Sequence, residues 1–233
     1  MIASDFEYRH RFWMIALVYV LAYAFYNLDH LNILYAIVLW NQDVVKEDML
    51  VRVLYATAAL LAACGALLLT WATAYRPPST GVDRTGFSIG GPFRHVRNPH
   101  YLAYFFLVLA LGTFQSRLGF PVMVLGEALL LLRLLAREEL LLDQQYGDRF
   151  RTYAQRVPRL LPSLHPLLES ENQLPRWRQA LWDQAFQWGF VATLLAFAFT
   201  LSDPVGYAFA GTTFLFLVVQ KLVQPFLSRL CHT

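Results

Sequence analysis

The chain has 233 residues, of which 57% are hydrophobic and only 15% are charged, and its formal net charge is +3. Soluble domains typically carry about 25% charged residues, so this composition excludes an ordinary soluble protein and predicts an integral membrane protein. The two cysteines, Cys64 and Cys231, lie in an apolar run and near the C-terminal end. They predict neither a disulfide framework nor a metal site.

Six apolar runs approach or exceed the roughly 20 residues that a helix needs to cross a bilayer. They cover residues 12–40, 50–75, 101–114, 118–136, 181–201 and 205–226. The third and fourth runs are short and are separated by a few residues around Arg117, which indicates a tight helical hairpin. We therefore predict an all-α, polytopic integral membrane bundle of about six transmembrane helices. Asp5 and Glu7 precede a first run that is too long for a signal peptide, so we expect no cleavable signal.

Arginine is distributed unevenly between the two sides of this bundle. The N-terminal segment and the polar segments 76–100 and 137–179 are rich in arginine, whereas the opposite side receives Lys46 and Arg117. The positive-inside rule then places both termini and both polar segments in the cytoplasm, as in a bacterial inner-membrane protein. A cytoplasmic arginine excess is ordinary for this class and predicts contact with membrane lipids, with no nucleic-acid partner.

The segment after the hairpin predicts cytoplasmic amphipathic helices. The fourth run continues out of the membrane as a helix that ends at Gly147, and Asp148 is expected to cap the next helix. That helix carries apolar residues at three- and four-residue spacing, namely Phe150, Tyr153, Ala154 and Val157.

The start of the third run combines a helix N-terminus with cationic side chains. Asn98 suits the N-cap and Pro99 suits the first helical position. Free backbone N–H groups, the helix dipole, Arg94 and Arg97 together predict an anion site. The alternative is that these arginines only obey the positive-inside rule and contact lipid phosphates.

A second polar group follows the hairpin. Glu138 and Glu139 adjoin Arg137 and lie one turn from Arg133. The carboxylates either accept hydrogen bonds from a ligand's amino or hydroxyl groups, or are plain charges on a helix surface. Because both polar groups lie at the same end of one hairpin, we expect them to be close together.

Three polar residues inside apolar runs are minor candidates for function. Glu127 is an intramembrane carboxylate, which is costly and therefore suggests a function. It is alternatively protonated, or paired with a group such as Gln187. Asp29 and His30 either have a function or mark an irregular part of the first run.

Two sequence blocks resemble a family of membrane enzymes. Gly91-Pro92-Phe93-Arg94, then Val96-Arg97-Asn98-Pro99 and Tyr101-Leu102, are similar to the G-P-Y/F-R-x-V-R-H/N-P-x-Y signature of isoprenylcysteine carboxyl methyltransferases and related phospholipid methyltransferase-type proteins. The second block resembles the family's E-E-x-x-L, F-G-x-x-Y-x-x-Y and V-P-R-x-x-P series through Glu138-Glu139, Leu142, Tyr146-Gly147, Phe150, Tyr153, Val157-Pro158-Arg159 and Pro162. Asn98 stands where the family often has histidine.

The resemblance implies an S-adenosylmethionine-dependent membrane methyltransferase that releases S-adenosylhomocysteine and acts on a lipophilic acceptor entering from the bilayer. It implies a methyltransferase core at 90–166, preceded by transmembrane helices and a loop at 1–89 and followed by a linker and two transmembrane helices at 167–233. The expected cofactor-binding residues are Phe93, Arg94, Val96, Arg97, Asn98, Pro99, Tyr101, Leu102, Glu138, Glu139 and Tyr153. The expected catalytic residues are Arg137, Arg133 and Glu138, with an arginine orienting the nucleophile if that nucleophile is a carboxylate.

Two other functions stay open at this point. One is a sterol-type membrane reductase that uses a nicotinamide cofactor, and the other is a non-catalytic membrane binding protein of the same fold. The acceptor of a methyltransferase is a prenylcysteine, a phospholipid or another small hydrophobic molecule. Trp182, Phe186 and Phe190 recur at four-residue spacing and are expected to line its entry from the bilayer.

Overall fold

The computed structural model describes residues 2–41, 46–76, 88–169 and 174–230. Within these ranges the chain is helical and contains no β-strand, which confirms the predicted all-α class. The helices are α1 (Asp5–Arg9), α2 (Arg11–Ala24), α3 (Ile33–Trp40), α4 (Glu47–Ala74), α5 (Pro99–Gly112), α6 (Gly119–Tyr146), α7 (Asp148–Arg156), α8 (Trp177–Asp183), α9 (Ala185–Thr200) and α10 (Asp203–Leu230). Part of the predicted polar loop (77–87) and Cys231 lie outside the described residues.

Two helices, α4 and α6, are long and apolar enough to cross a membrane. Each has 28 residues, and at 1.5 Å per residue each is about 42 Å long, which exceeds the roughly 30 Å of bilayer hydrocarbon. The other apolar helical segments are shorter, and α5 has 14 residues. Two helices of spanning length are therefore established, while a bundle of about six spans stays a prediction.

The largest core forms where α4 packs between α5 and α9. Its buried residues are Ala58, Ala59, Ala62, Ala66, Leu69, Ala103, Leu107, Ala110, Val191 and Leu194. Alanine dominates this list, and small side chains allow helix axes to approach closely. Both contacts are antiparallel: Tyr55 near the start of α4 packs against Phe114 just beyond the end of α5. Near the other end of α4, the Trp188 ring nitrogen of α9 donates to the Thr70 hydroxyl over 3.1 Å.

Helix α2 packs antiparallel along α6. A Cβ atom on Gly126 would lie 2.9 Å from a methyl carbon of Val18, so the close approach of the helices depends on glycine at this position. Further along the pair, Met14, Ile15 and Val18 pack against Leu130 and Leu134. This contact places the N-terminal residues beside the C-terminal half of α6.

The interruption of the first apolar run is a structured junction. Arg117, in the α5–α6 turn, donates to Asp29 with Nη2 2.9 Å from Oδ1. The Asn32 side chain donates to the Thr113 carbonyl over 3.0 Å and accepts from the backbone N–H of Leu34, in the first turn of α3. These bonds account for Asp29 as a structural residue that joins the junction to the hairpin turn.

Candidate functional site

The two predicted polar groups meet where α5 begins. Arg97 Nη1 lies 3.1 Å from Glu139 Oε1, and the Asn98 side-chain amide donates to the same oxygen over 2.8 Å. The other carboxylate oxygen of Glu139 lies 2.9 Å from Arg159 Nε. The predicted proximity of the two groups is confirmed. Glu139 has three polar partners, Arg97, Asn98 and Arg159.

The start of α5 has the predicted position but a different side-chain role for Asn98. Asn98 is the N-cap residue and Pro99 is the first helical residue. The Asn98 side chain does not accept a capping bond from the helix. Its amide instead donates to Glu139 and, over 3.2 Å, to the Arg159 carbonyl. Asn98 therefore joins α5 to α6 and to the segment after α7.

A second set of hydrogen bonds joins residues 93–98 to residues 153–168. The Arg97 guanidinium donates to the carbonyls of Ala154 and Val157. Backbone N–H groups donate from Arg97 to Pro158 (2.8 Å), from Ser163 to His95 (2.9 Å) and from Leu167 to Arg94 (3.0 Å). Arg94 Nε also donates to the Leu168 carbonyl over 2.7 Å. In this structure Arg94 and Arg97 thus connect the two blocks, and their binding of an anion stays a prediction.

Helix α7 turns back against this region at a glycine. Gly147 ends α6 with φ +51°, ψ −126°, and its N–H donates to the Asp143 carbonyl. The prediction that Gly147 ends the helix is confirmed. The prediction that Asp148 caps α7 is wrong, because Gly147 is the N-cap and Asp148 is the first helical residue, without a capping bond.

The buried face of α7 is the predicted one. Phe150, Tyr153 and Val157 form a buried cluster with Ala154 partly buried beside it. The Tyr153 hydroxyl donates to the Phe93 carbonyl over 2.9 Å, which joins the second block to the first. Burial raises the pKa of Tyr153, so its hydroxyl remains protonated and able to donate.

A cavity of about 320 Å³ lies between these elements and the N-terminal helices. It is lined by Tyr8, Arg11, Phe12, Ile15, Arg76, Ser88, Phe93, Arg97, Asn98, Pro99, His100, Tyr101, Tyr104, Leu131, Leu134, Glu138, Leu142, Phe150 and Tyr153. The expected cofactor-binding residues in this lining are Phe93, Arg97, Asn98, Pro99, Tyr101, Glu138 and Tyr153. The other expected residues, Arg94, Val96, Leu102 and Glu139, are not in the lining.

The cavity has one polar side and one apolar side. On the polar side, Glu138 accepts a hydrogen bond from the Tyr101 hydroxyl over 2.8 Å. The Nε2 atom of His100 is buried there and has no hydrogen-bond partner among the described residues. Phe12, Ile15 and Leu131, from α2 and α6, contribute to the apolar side. A ligand with a polar part and an apolar part would match this surface.

The arginines expected to be catalytic lie outside the cavity lining. Arg133 Nη2 donates to Glu7 over 2.7 Å, and Arg137 forms an ion pair with Asp5. The hydrogen bond from Arg133, together with one from the Ser4 backbone, lowers the pKa of Glu7 to about 2. In this structure both arginines hold α1 against α6.

The N-terminal residues contribute to the cavity lining, which was not predicted from the sequence. Tyr8, Arg11, Phe12 and Ile15 were not among the candidate residues, although they line it. The available signal was charge complementarity. Arg133 and Arg137 lie one turn apart and provide two cations on one helix face. The N-terminal segment provides two carboxylates, Asp5 and Glu7, that are close together in the chain.

Two further interpretations of the sequence concern Glu127 and the face formed by Trp182, Phe186 and Phe190. Glu127 is buried, but no hydrogen bond joins it to Gln187 in the described chain, and an oxygen of each side chain lacks a partner there. The Gln187 pairing, one of the alternatives for Glu127, is therefore not formed in the described chain. Trp182, at the end of α8, packs on Phe216, and Phe190 of α9 packs on Phe114. Neither residue lines the described cavity, and neither does Phe186, so acceptor entry at this face stays a prediction.

Comparison of the chain with family models, characterised proteins and solved structures gave no match.

Proposed function

We propose that the chain is an S-adenosylmethionine-dependent membrane methyltransferase that acts on a lipophilic acceptor. The observation that carries this proposal is the single cavity to which both blocks contribute, the first through Arg97 and Tyr101 and the second through Glu138 and Tyr153. Its polar and apolar sides suit a polar cofactor beside an apolar acceptor.

The residues that line the cavity would suit this cofactor. A volume of about 320 Å³ is at the lower end of the roughly 300–1,000 Å³ typical of small-molecule sites. The N-terminus of α5 would hold the cofactor's carboxylate, with the positive charge of Arg97 beside it. Glu138 would accept hydrogen bonds from its amino or hydroxyl groups, and His100 Nε2 is a buried polar atom without a hydrogen-bond partner in the described part of the chain. Aromatic rings such as Phe93 offer faces to a sulfonium cation.

The bound cofactor would supply an activated methyl group for in-line displacement. Such a transfer depends mainly on alignment of the reacting atoms, so the role of the chain is to hold the acceptor in position and to exclude water. The Tyr101–Glu138 hydrogen bond fixes the carboxylate for this purpose. The residues of α2, α5 and α6 would keep the acceptor's reactive group in an apolar surrounding.

The membrane arrangement belongs to the same proposal. α4 and α6 are of spanning length, and α2, α5, α9 and α10 would complete a six-span bundle in a bacterial inner membrane. The arginine-rich end, with the cavity, would face the cytoplasm. α2 and α5 both line the cavity. Each of them packs against α6, and they make little contact with each other. The acceptor would enter between them from the bilayer.

A binding measurement on the purified protein tests the function. We expect S-adenosylmethionine to bind and a nicotinamide dinucleotide not to bind in equilibrium dialysis. Protein reconstituted in vesicles of bacterial polar lipids should also transfer label from methyl-tritiated S-adenosylmethionine to a lipid-soluble product. Preferential binding of the dinucleotide would favour the reductase, and binding of neither would favour the non-catalytic protein.

Cysteine labelling tests the orientation independently. In a variant that lacks Cys64 and Cys231, His30→Cys and Gln144→Cys place single thiols at exposed positions at opposite ends of the helices. A membrane-impermeant maleimide should label the first in intact cells and the second only after lysis. The reverse pattern would overturn the proposed orientation.

A further inference from the structure

Helix α1 is attached to α6 through Arg133 and Arg137, the two arginines that the sequence analysis expected to be catalytic. Ser4 and Glu7 form a capping box that fixes the short helix, with the two bonds at 2.6 and 3.2 Å. The same Glu7 carboxylate then accepts from Arg133 over 2.7 Å. One turn further along α6, Arg137 pairs with Asp5. The two ion pairs therefore fix both the position and the rotation of α1.

Apolar and backbone contacts reinforce this attachment. The N–H of Ala3 donates to the Arg133 carbonyl over 3.1 Å. The Ala3 side chain is 2% exposed and packs with Leu130 and Leu134 of α6. Since Leu134 also lines the cavity, the contact that holds the N-terminus is continuous with the cavity wall.

The attached helix contributes Tyr8 to the cavity lining. Tyr8 lines the cavity and packs in the same cluster as Ile15 and Tyr101. Arg11 lies over the Tyr8 ring at 4.9 Å and donates to the Tyr8 carbonyl over 3.0 Å. The position of Tyr8 therefore depends on where α1 sits, and α1 is held by the two arginines of α6.

We propose that Arg133 and Arg137 are positioning residues that do not touch the acceptor. Their ion pairs hold α1 against α6, and α1 carries Tyr8 into the wall that faces the acceptor. The proposal rests on the proposed function for the identity of the ligand. Its geometric part is that the ion pairs close the cavity, which means that they keep α1 and Tyr8 in the cavity wall. This part is independent of any reaction.

Thiol labelling measures this closure without any turnover. In a variant that lacks Cys64 and Cys231, Leu134→Cys places a reporter in the cavity wall. The double substitution Asp5→Asn with Glu7→Gln should increase its reaction rate with a water-soluble maleimide by about tenfold. Hydrogen exchange of residues 3–9 should accelerate by a similar factor. An unchanged labelling rate would overturn the proposal.

A matched control and a charge exchange separate closure from general loss of structure. Asp29→Asn removes an ion pair at the opposite end of the helices and should leave the labelling rate within twofold of the parent. Arg137→Asp alone should open the cavity, whereas Arg137→Asp combined with Asp5→Arg, which leaves the Ser4–Glu7 capping box in place, should restore slow labelling. Fast labelling in the exchanged pair would show that the ion pair does not close the cavity.

Kinetics with the lipid vesicles and tritiated S-adenosylmethionine test the positioning role. The double substitution on α1 should raise the KM for lipid acceptor about fivefold and leave the cofactor's Kd within twofold. The exchanged pair should recover the acceptor KM. If it remains as inactive as Arg137→Asp, a guanidinium at position 137 is itself required and the positioning role is overturned. If the wild-type protein binds no S-adenosylmethionine, the proposed function fails, while labelling still decides whether the ion pairs close the cavity.

Discussion

Arg97 and Glu139, which are 42 residues apart in the chain, form an ion pair with 3.1 Å between Nη1 and Oε1. The Nε and Nη2 atoms of Arg97 donate to the carbonyls of Ala154 and Val157. A single side chain thus connects the start of α5, the C-terminal third of α6 and the end of α7. These elements surround the cavity, so its shape depends on Arg97.

Replacement of Arg97 by alanine should destabilise the protein strongly. Glu139 would lose a charged donor, and two partly buried carbonyls would lose theirs, so we expect a loss of about 2–3 kcal/mol in the free energy of unfolding. Arg151→Ala is the matched control, because Arg151 is largely exposed and pairs mainly with Asp143. Its loss should be below about 1 kcal/mol. Denaturant titration in detergent measures both, and equal losses would contradict the central role of Arg97.

Substitution of Gly147 should expose the cost of the corner between α6 and α7. Its φ of +51° is rarely adopted by other residues, while a Cβ atom there would meet nothing within 4 Å. The expected loss for Gly147→Ala is therefore about 1–3 kcal/mol of backbone strain alone. Gly211→Ala also meets nothing within 4 Å but lies inside α10, where alanine should stabilise by up to about 1 kcal/mol. Unfolding curves of the two variants should shift in opposite directions.

The sequence was sufficient to predict the elements that local rules govern. The Asn98–Pro99 helix start, the end of α6 at Gly147 and the buried face of α7 were predicted, because each depends on a few neighbouring residues. The proximity of Arg97 to Glu139 was also predictable, because a short hairpin brings residues at its two ends together.

Contacts between distant segments were beyond the same rules. Nothing local to Glu7 shows that it pairs with Arg133, which is 126 residues away. Similarly, the position of Asp29 beside Arg117 depends on how the first run folds at its interruption. Both arginines have ordinary alternative interpretations in the sequence, as catalytic or loop charges, and only the packing of α2 on α6 decides between them.

Glu138 should contribute to cofactor affinity directly and Tyr101 through its hydrogen bond. Under the proposed function, Glu138→Gln should weaken S-adenosylmethionine binding about tenfold, which corresponds to about 1.4 kcal/mol. Tyr101→Phe should have a smaller effect in the same direction, since the carboxylate stays but loses the 2.8 Å bond that orients it. Glu47→Gln, at the far end of α4, should leave affinity unchanged in the same dialysis measurement. An unaltered Kd in Glu138→Gln would remove this residue from the cofactor site.

The attachment of α1 should weaken in acid. The pKa of Glu7 falls from 4.5 to about 2 in the folded protein, first because of the Arg133 hydrogen bond. Since the folded value is the lower one, the stabilisation is complete above about pH 4.5 and is lost as the pH falls from there towards 2. A nitroxide attached through Phe6→Cys should become more mobile across this window. Glu7→Gln should give high mobility already at pH 7, and an unchanged acid transition in that variant would show that the Glu7 carboxylate does not cause it.

Access of a lipophilic acceptor should depend on the gap between α2 and α5. Ile15 lines the cavity on α2, and Tyr104 lines it on α5 with a side chain 40% exposed. Ile15→Trp should fill this gap, because indole is much larger than a butyl side chain. With the acceptor identified by the vesicle assay, we expect kcat/KM for the long-chain form to fall at least fivefold more than that for a short soluble analogue. Phe186→Trp is the control, since α9 does not line the described cavity, and it should affect neither acceptor. Selective loss of the long-chain reaction in Phe186→Trp instead would place the entry at α9.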